Sequence, residues 1–464
     1  MKTRIETDSI GKRKLPKEAY YGIHAQRAKE NFSISKEKLH PLLIKHLAHI
    51  KQAAARTNQL GGALPQTIGS AIETAAAEMA EGIWNEQIIV DSIQGGAGTS
   101  ANMNVNEVLA NRALELIGKE KGSYQIIHPN DHVNMCQSTN DVFPSAGKLA
   151  MAELLEQLLT ELRYLDDSLF QKKLEFADVA KIGRTQLQEA VPTSLGASFG
   201  AFQAMIHRDI LRIQAVREKL FTLNLSGTAI GTQVNTTKYY RQHILETLQH
   251  FYSDTLFLAD DLVEATQNLD VFVEISGCLK TLAVGLSKIC NDLRLLSSGP
   301  HSGFAELALP ICQAGSSIMP GKINPVIPEV VSQVAFHVIG NDLTVTMAVE
   351  GGQLELNAFQ PILFHDLFAS IELLSNAGRT LTNSCILGIE ANQNHCAETL
   401  ANSDSLITAI APLTGYEHAT ILLKEARKSK KPVSALIKNT KMMSDQRLAQ
   451  FLDLPESHQP TGSD

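Results

Sequence analysis

VVSQVAFHVIGNDLTVTMAVEGG, Val330 to Gly352, runs for more than twenty positions with only Asp342 and Glu350 charged. Wound at 3.6 residues per turn, it places apolar side chains on more than one face of a helix. A single chain has difficulty covering such a helix. Burial is satisfied if helices from several identical copies pack together, and symmetric closure makes a homo-oligomer the natural assembly. Working outward, further long helix-compatible stretches cover Ser145 to Ala177, Ser194 to Leu223, Leu269 to Ser297, Pro328 to Glu350 and Ile362 to Gly388, several opening just after a proline or a capping residue. A stretch of about 30 residues makes a helix of about 45 Å, longer than most globular helices. The expected fold is mainly α, in three parts: a mixed, mostly helical region over 1–140, a central long-helix bundle over 141–390, and a small, more charged helical cap over 391–464.

The 464 residues are enough for two or three domains or one extended helical body. Hydrophobic residues make up 44% and aromatics only 5%, with a single Trp, which suits helix-on-helix packing by Leu, Ile, Val and Ala. A net charge of -8 offers no field for phosphate backbones. The basic run Lys424 to Lys431 reads as a solvated helix face, so nucleic acid is not an expected partner. Six cysteines without CxxC spacing fit reduced thiols. MKTRIETDSIGKRKLP lacks the apolar core of a signal peptide, and no apolar run of about 18 residues offers a membrane span. The expectation is a soluble, cytoplasmic protein.

Three polar segments stand out, each where a loop meets a long helix. Gln94 to Ser100, QGGAGTS, leads into a helix-like stretch; Thr99 and Ser100 sit where free helix N–H groups would welcome a carboxylate, or simply cap the helix. His128 to Asp141, HPNDHVNMCQSTND, puts the short polar groups Ser138, Thr139 and Asn140 just before Pro144, where they could hold a second carboxylate or form an ordinary capping cluster. Its His128, Asp131 and His132 are irregularly spaced for a metal. The third is GSSIMPGKINP, Gly315 to Pro325. It has one residue too many for a Walker motif and Ile323 where Ser or Thr would bind magnesium, and it fails the SxxK and GxSxG patterns. What remains is two serines on a Gly-flanked loop followed by Lys322 and Asn324, a lid that can close over a substrate. A fourth segment, KIGRTQLQEAVP, places Thr185 and Gln186 between two long helices. His46 and His49, beside His40, lack nearby Asp or Glu and read as a solvated helix face rather than a metal site.

Together, AYYGIHAQRAKENF, QGGAGTSANMNVNEVLANRALELIG, HPNDHVNMCQSTND, GRTQLQEAVP, SKICNDLRLLSSGP, GSSIMPGKINPVIPEV and GGQLELN resemble the fumarase/aspartase superfamily over nearly the whole chain, with the likeness closest to its aspartate ammonia-lyases. The resemblance implies a three-domain fold, a homotetramer around a shared helix bundle, and active sites drawing on three chains. It implies deamination of L-aspartate to fumarate and ammonia, with no required cofactor, an activating divalent cation being unreadable from sequence. It implies Ser316 as the base removing the C3 proton through an aci-carboxylate intermediate. Thr99, Ser138, Thr139 and Ser317 would surround the β-carboxylate, and Thr185, Lys322 and Asn324 the α-carboxylate, with Asn140 and Gln186 near the amino group. Gln186 stands where fumarases carry His, while Glu329, that histidine's partner, is retained; His301, Ser302 and Met135 also depart from the family pattern. The alternatives are a class II fumarase hydrating fumarate to L-malate, and a non-catalytic structural descendant.

Overall fold

The computed structural model describes residues 2–315, 317–429, 431–433 and 435–436. Among them, the helices are α1 (Ile23–Asn31), α2 (Pro41–Leu60), α3 (Gln66–Ala80), α4 (Thr99–Leu116), α5 (Thr139–Glu175), α6 (Leu195–Glu218), α7 (Lys238–Gln249), α8 (Leu262–Gln267), α9 (Asp270–Leu296), α10 (Val326–Glu350), α11 (Gln360–Ser384), α12 (Gln393–Asn402), α13 (Leu406–Thr414) and α14 (Tyr416–Ser429). Strands occur as four pairs: β1 (Thr3–Asp8) with β2 (Gly11–Pro16), β3 (Ala180–Thr185) with β4 (Gln188–Ser194), β5 (Thr222–Leu223) with β6 (Phe257–Leu258), and β7 (Leu307–Ala308) with β8 (Glu390–Ala391). The chain clusters into two compact units. Unit 1 comprises Met1–Leu159, Arg212–Lys280 and His337–Leu373, and unit 2 Thr160–Leu211, Thr281–Phe336 and Leu374–Asp464. Every break between the two falls within a long helix, α5, α6, α9, α10 or α11.

The long helices start earlier than punctuation suggests. Pro144 does not open α5; it sits inside it, after a start at Thr139. A proline nitrogen has no hydrogen for the carbonyl four residues back, so the Asn140 carbonyl would be orphaned. Asn224 Nδ2 donates to it at 3.0 Å, and the helix continues through the proline. α10 likewise begins at Val326, ahead of Pro328.

Within unit 1 a small aromatic cluster sits in the largely aliphatic core of the long helices. Phe364 of α11 packs edge-on against Phe143 of α5 and Phe272 of α9, with ring centroids 5.4 and 5.3 Å apart. Gly147 makes the room, because a Cβ there would overlap the Phe364 ring. Asp342, one of the three acidic residues of α10, is buried and paired: Ser276 Oγ and Lys280 Nζ of α9 donate to its carboxylate at 2.8 and 2.6 Å. Near the N-terminus, the AYYGIHAQ segment is held by the buried Glu107 of α4, whose carboxylate accepts from the amides of Gly22, His24 and Ala25. In unit 2 residues between 400 and 436 pack on the β3–β4 hairpin, with Ile182 against Leu400, Leu406, Ala426, Val433 and Leu436.

The structure corrects the reading of His46. It is 2% exposed, not solvated, and hydrogen-bonded to Tyr252 Oη at 2.7 Å and to Glu153 at 3.0 Å. The acidic partner absent from the neighbouring sequence comes from α5. The hydrogen bond to His46 and the ion pair with Lys45 hold Glu153 down to about 2. A carboxyl whose folded pKa is depressed contributes stability above its unfolded value and loses it as pH falls through the folded one. Glu153→Gln should therefore lower Tm at neutral pH, and the gap to the parent should close as pH falls from about 4.5 toward about 2. A Tm difference independent of pH in a thermal melt would contradict this.

Candidate active site

In unit 1 the polar segments converge on two helix beginnings. The loop before α4 turns through Gly96, Ala97 and Gly98 at φ 90, 55 and 88°. Gln94 ties it down, Nε2 donating to the Asp91 carbonyl at 2.6 Å and Oε1 accepting from the Ala101 amide at 2.8 Å. The N-cap of α4 is Gly98, which has no side chain to offer, and Gln94 takes the first-turn amide of Ala101 in its place. Neither Thr99 nor Ser100 is the cap; Thr99 is the first helical residue, half-buried, at the partly positive end of the helix.

The beginning of α5 is built differently. Ser138 Oγ accepts from the Asn140 amide at 3.2 Å, while Asp141 accepts from the Ser138 amide at 2.9 Å, a reciprocal cap with aspartate in the usual glutamate place. The two termini are joined directly, as Asn102 Nδ2 of α4 donates to Thr139 Oγ1 of α5 at 2.9 Å. An amide nitrogen only donates, so Thr139 Oγ1 is the acceptor and its own proton is left to be donated. Ser138, accepting from Asn140, is in the same position. Asn140 spends Nδ2 on the Ala229 carbonyl at 2.8 Å, leaving Oδ1 as an acceptor.

Beneath this lies a buried polar layer that sequence reading did not single out. Asn134 Oδ1 accepts from Lys51 Nζ at 2.7 Å and Asn102 Nδ2 at 3.2 Å. Burial pulls Lys51 down to about 7 and pushes Asp141 up to about 6, each opposed by the other's charge. Asp141 also accepts from the Thr228 amide at 3.1 Å. Thr228 belongs to the turn SGTAIG, where Ser226, Thr228 and Gly231 all have positive φ, and its hydroxyl is buried without a hydrogen-bond partner. The Gly-punctuated SGTAIGT was the available signal for it.

Unit 2 holds the other candidates on two segments. Thr185 ends β3, and Gln186 and Leu187 form the two-residue tip of the β3–β4 hairpin at φ 53 and 63°. That is the backbone of a turn normally made by Asn-Gly or Gly-Gly. Left-handed non-glycine residues cost roughly 1–2 kcal/mol each, and such strain gathers at functional sites. Thr185 and Gln186 are exposed there. Ser317, Lys322 and Asn324 lie on the loop before α10, of which Ile318 is 87% exposed. Asn324 Nδ2 donates to the Gly315 carbonyl at 2.9 Å. A Cβ at Gly315 would overlap the Lys322 carbonyl, so the loop is pinched at its neck and open at its tip. Ser316 lies outside the described residues.

The two imidazoles of the His128–Asp141 segment have internal partners. His128 Nδ1 accepts from the amides of Asn130 and Asp131, and His132 Nδ1 from the amide of His128. Among the described residues no three His, Cys, Asp or Glu side chains are grouped as a metal would require, and no helix is long and apolar enough to cross a membrane.

Comparison with known proteins fits this geometry. A family model described as "Lyase" matches residues 11–340, and the chain belongs to that family. It is 48% identical over 457 residues to an aspartate ammonia-lyase of Bacillus sp, covering 98% of both chains. Among solved structures it matches the fumarate lyase:delta crystallin from Brucella melitensis bound to cobalt, with TM-score 0.94, 48% identity and coverage of 97% and 98%. It also matches the class II fumarase from Schistosoma mansoni, with TM-score 0.90, 33% identity and the same coverage. The fold is that of the fumarase/aspartase superfamily, and the enzyme is a carbon–nitrogen lyase.

Gly98 carries the junction of α4 with α5. A Cβ there would stand 2.5 Å from the buried Phe143 ring, at a φ that L side chains avoid. Gly98→Ala should destabilise the protein by about 1–3 kcal/mol, read as a lower midpoint in denaturant. An unchanged midpoint would mean that the turn and Phe143 yield freely.

Proposed function

We propose that the chain is an aspartate ammonia-lyase, converting L-aspartate reversibly to fumarate and ammonia. One observation carries the site's part of this reading: Ser138 and Thr139 each already accept a hydrogen bond, so both hydroxyl protons are left to point at an anion. With Thr99 at the partly positive beginning of α4, this is a carboxylate receptor of hydroxyl donors and helix termini. In the proposed reaction Ser316 removes a C3 proton from aspartate. The charge moves into the β-carboxylate as an aci-carboxylate dianion, and the C–N bond then breaks with ammonia leaving. A serine hydroxyl is a weak base and C3 a weak acid, so the dianion must be held by fixed donors in a dry pocket, each worth about 2.7–4 kcal/mol. Thr99, Ser138, Thr139 and Ser317 serve the β-carboxylate. Thr185, Lys322 and Asn324 serve the α-carboxylate, with one Nδ2 hydrogen of Asn324 still available beyond its bond to Gly315. Asn140 Oδ1 is suited to the ammonium group because Nδ2 is engaged elsewhere, and Gln186 stands with it. Closure of the 315–324 loop would exclude water.

The reading includes a homotetramer with sites shared between subunits. It is supported by the outer face of α10, where Phe336, Leu343 and Met347 are 64%, 63% and 65% exposed. With Ile339 they form a stripe at helical spacing that another copy would cover. Aspartate is favoured over malate by the 48% identity to an aspartate ammonia-lyase against 33% to a class II fumarase.

Purified protein given L-aspartate is expected to raise ultraviolet absorbance as fumarate forms, with little response to L-malate; faster turnover of malate would overturn the substrate. Ser316→Ala should lower kcat by about 10²–10⁴-fold with KM little changed, and near-parent turnover would remove Ser316 from the role of base. Light scattering should give four times the 50.5 kDa chain mass; a monomer would refute the shared site.

A further inference from the structure

The hairpin that presents Thr185 and Gln186 is a weak platform by itself. Its register is irregular between Ile182 and Arg184, and Gly183 sits so close to the Val191 carbonyl that a Cβ would stand 2.7 Å away. Beyond that irregularity only the pairs Arg184↔Glu189 and Thr185↔Gln188 remain before the strained Gln186–Leu187 tip. Something else must aim it.

Glu306 is placed to do so. Its side chain is completely buried. Arg184 Nη1 donates to Oε1 at 2.5 Å, and Lys181 Nζ stands 2.9 Å from Oε2. The Arg184 guanidinium also lies over the Phe304 ring, 4.4 Å from its centroid, so the residue next to Thr185 is held from two sides. The Glu306 backbone is equally fixed. Its amide donates to the Leu296 carbonyl at 2.8 Å, and its carbonyl accepts from the Asn392 amide at 3.0 Å. Immediately after it, β7 pairs with β8, and the chain enters the segment leading to the 315–324 loop. One carboxylate therefore ties the end of β3 to the start of β7, which precedes the 315–324 loop in the chain.

We propose that Glu306 is a positioning residue: acting through Arg184, it sets where Thr185 and Gln186 stand relative to the loop bearing Ser317, Lys322 and Asn324. This rests on the reading of Thr185 and Gln186 as substrate contacts. Glu306 touches no substrate. Its part is to hold a binding element that serves ground state and transition state alike, so its loss raises KM more than it lowers kcat.

The test compares Glu306→Gln, Glu306→Asp and Lys181→Met with the parent enzyme, following fumarate formation from L-aspartate. Circular dichroism and melting report the folded fraction. Glu306→Gln keeps the size but removes the charge facing Arg184, and KM should rise about tenfold or more with kcat per folded enzyme nearly kept. Glu306→Asp should fall between, and Lys181→Met, which leaves the Arg184 contact intact, should keep KM within about twofold. KM near the parent value in folded Glu306→Gln, or an equal rise in Lys181→Met, would overturn the proposal. Where Glu306→Gln does not fold, Glu306→Asp decides: a raised KM supports the assignment and a parental KM refutes it. A parent enzyme that does not turn over L-aspartate would sink the functional reading itself, and this inference with it.

Discussion

The hydrogen bond from Asn102 to Thr139 joins the beginning of α4 to the beginning of α5, and the cluster of hydroxyls in unit 1 depends on it. Each helix start exposes amides that its own turns cannot satisfy. Bringing two such ends together concentrates partial positive charge, which is unfavourable unless an anion or a set of dipoles compensates. The protein supplies dipoles below, through Asn134, Asn102 and the buried Lys51–Asp141 layer, and leaves the outer side to hydroxyls. Gly98 is a precondition, because any side chain there would push Phe143 away and separate the helices.

Unit 2 solves a different problem. A hairpin tip and a surface loop have little burial to hold them, so position is enforced by backbone strain and close approach. Gln186 and Leu187 adopt a turn that glycine would make more easily, and the loop is closed at Gly315 by contact with the Lys322 carbonyl. The Glu306 ion pairs anchor the hairpin from inside.

The departures from expectation have one origin. Pro144 was taken as a helix start because proline ends hydrogen-bond ladders, yet Asn224, eighty positions later in the chain, satisfies the carbonyl it leaves. His46 was read as solvated because no acid lies near it in sequence, yet Glu153 reaches it from α5. Thr99 looked like a cap because Thr and Ser are good caps, yet the left-handed glycine before it takes that place. In each case an interaction or a backbone conformation that residue propensity alone does not show changed the local outcome.

Sequence by itself determined the helical class, the long apolar helices, and the list of short polar segments at their ends, because periodicity and turn chemistry are local and repeat along the chain. It also determined which chemical groups are available: serines on a glycine-flanked loop, a following Lys322 and Asn324, and hydroxyls before two helices. Tertiary structure alone decided which way those groups face. Whether Thr139 donates or accepts, whether Asn140 offers its oxygen or its nitrogen, and what holds Arg184 beside Thr185 all follow from hydrogen bonds and ion pairs between residues tens to more than a hundred positions apart. Those pairings leave no periodic trace in the sequence, since each is a single contact made only once the helices have packed.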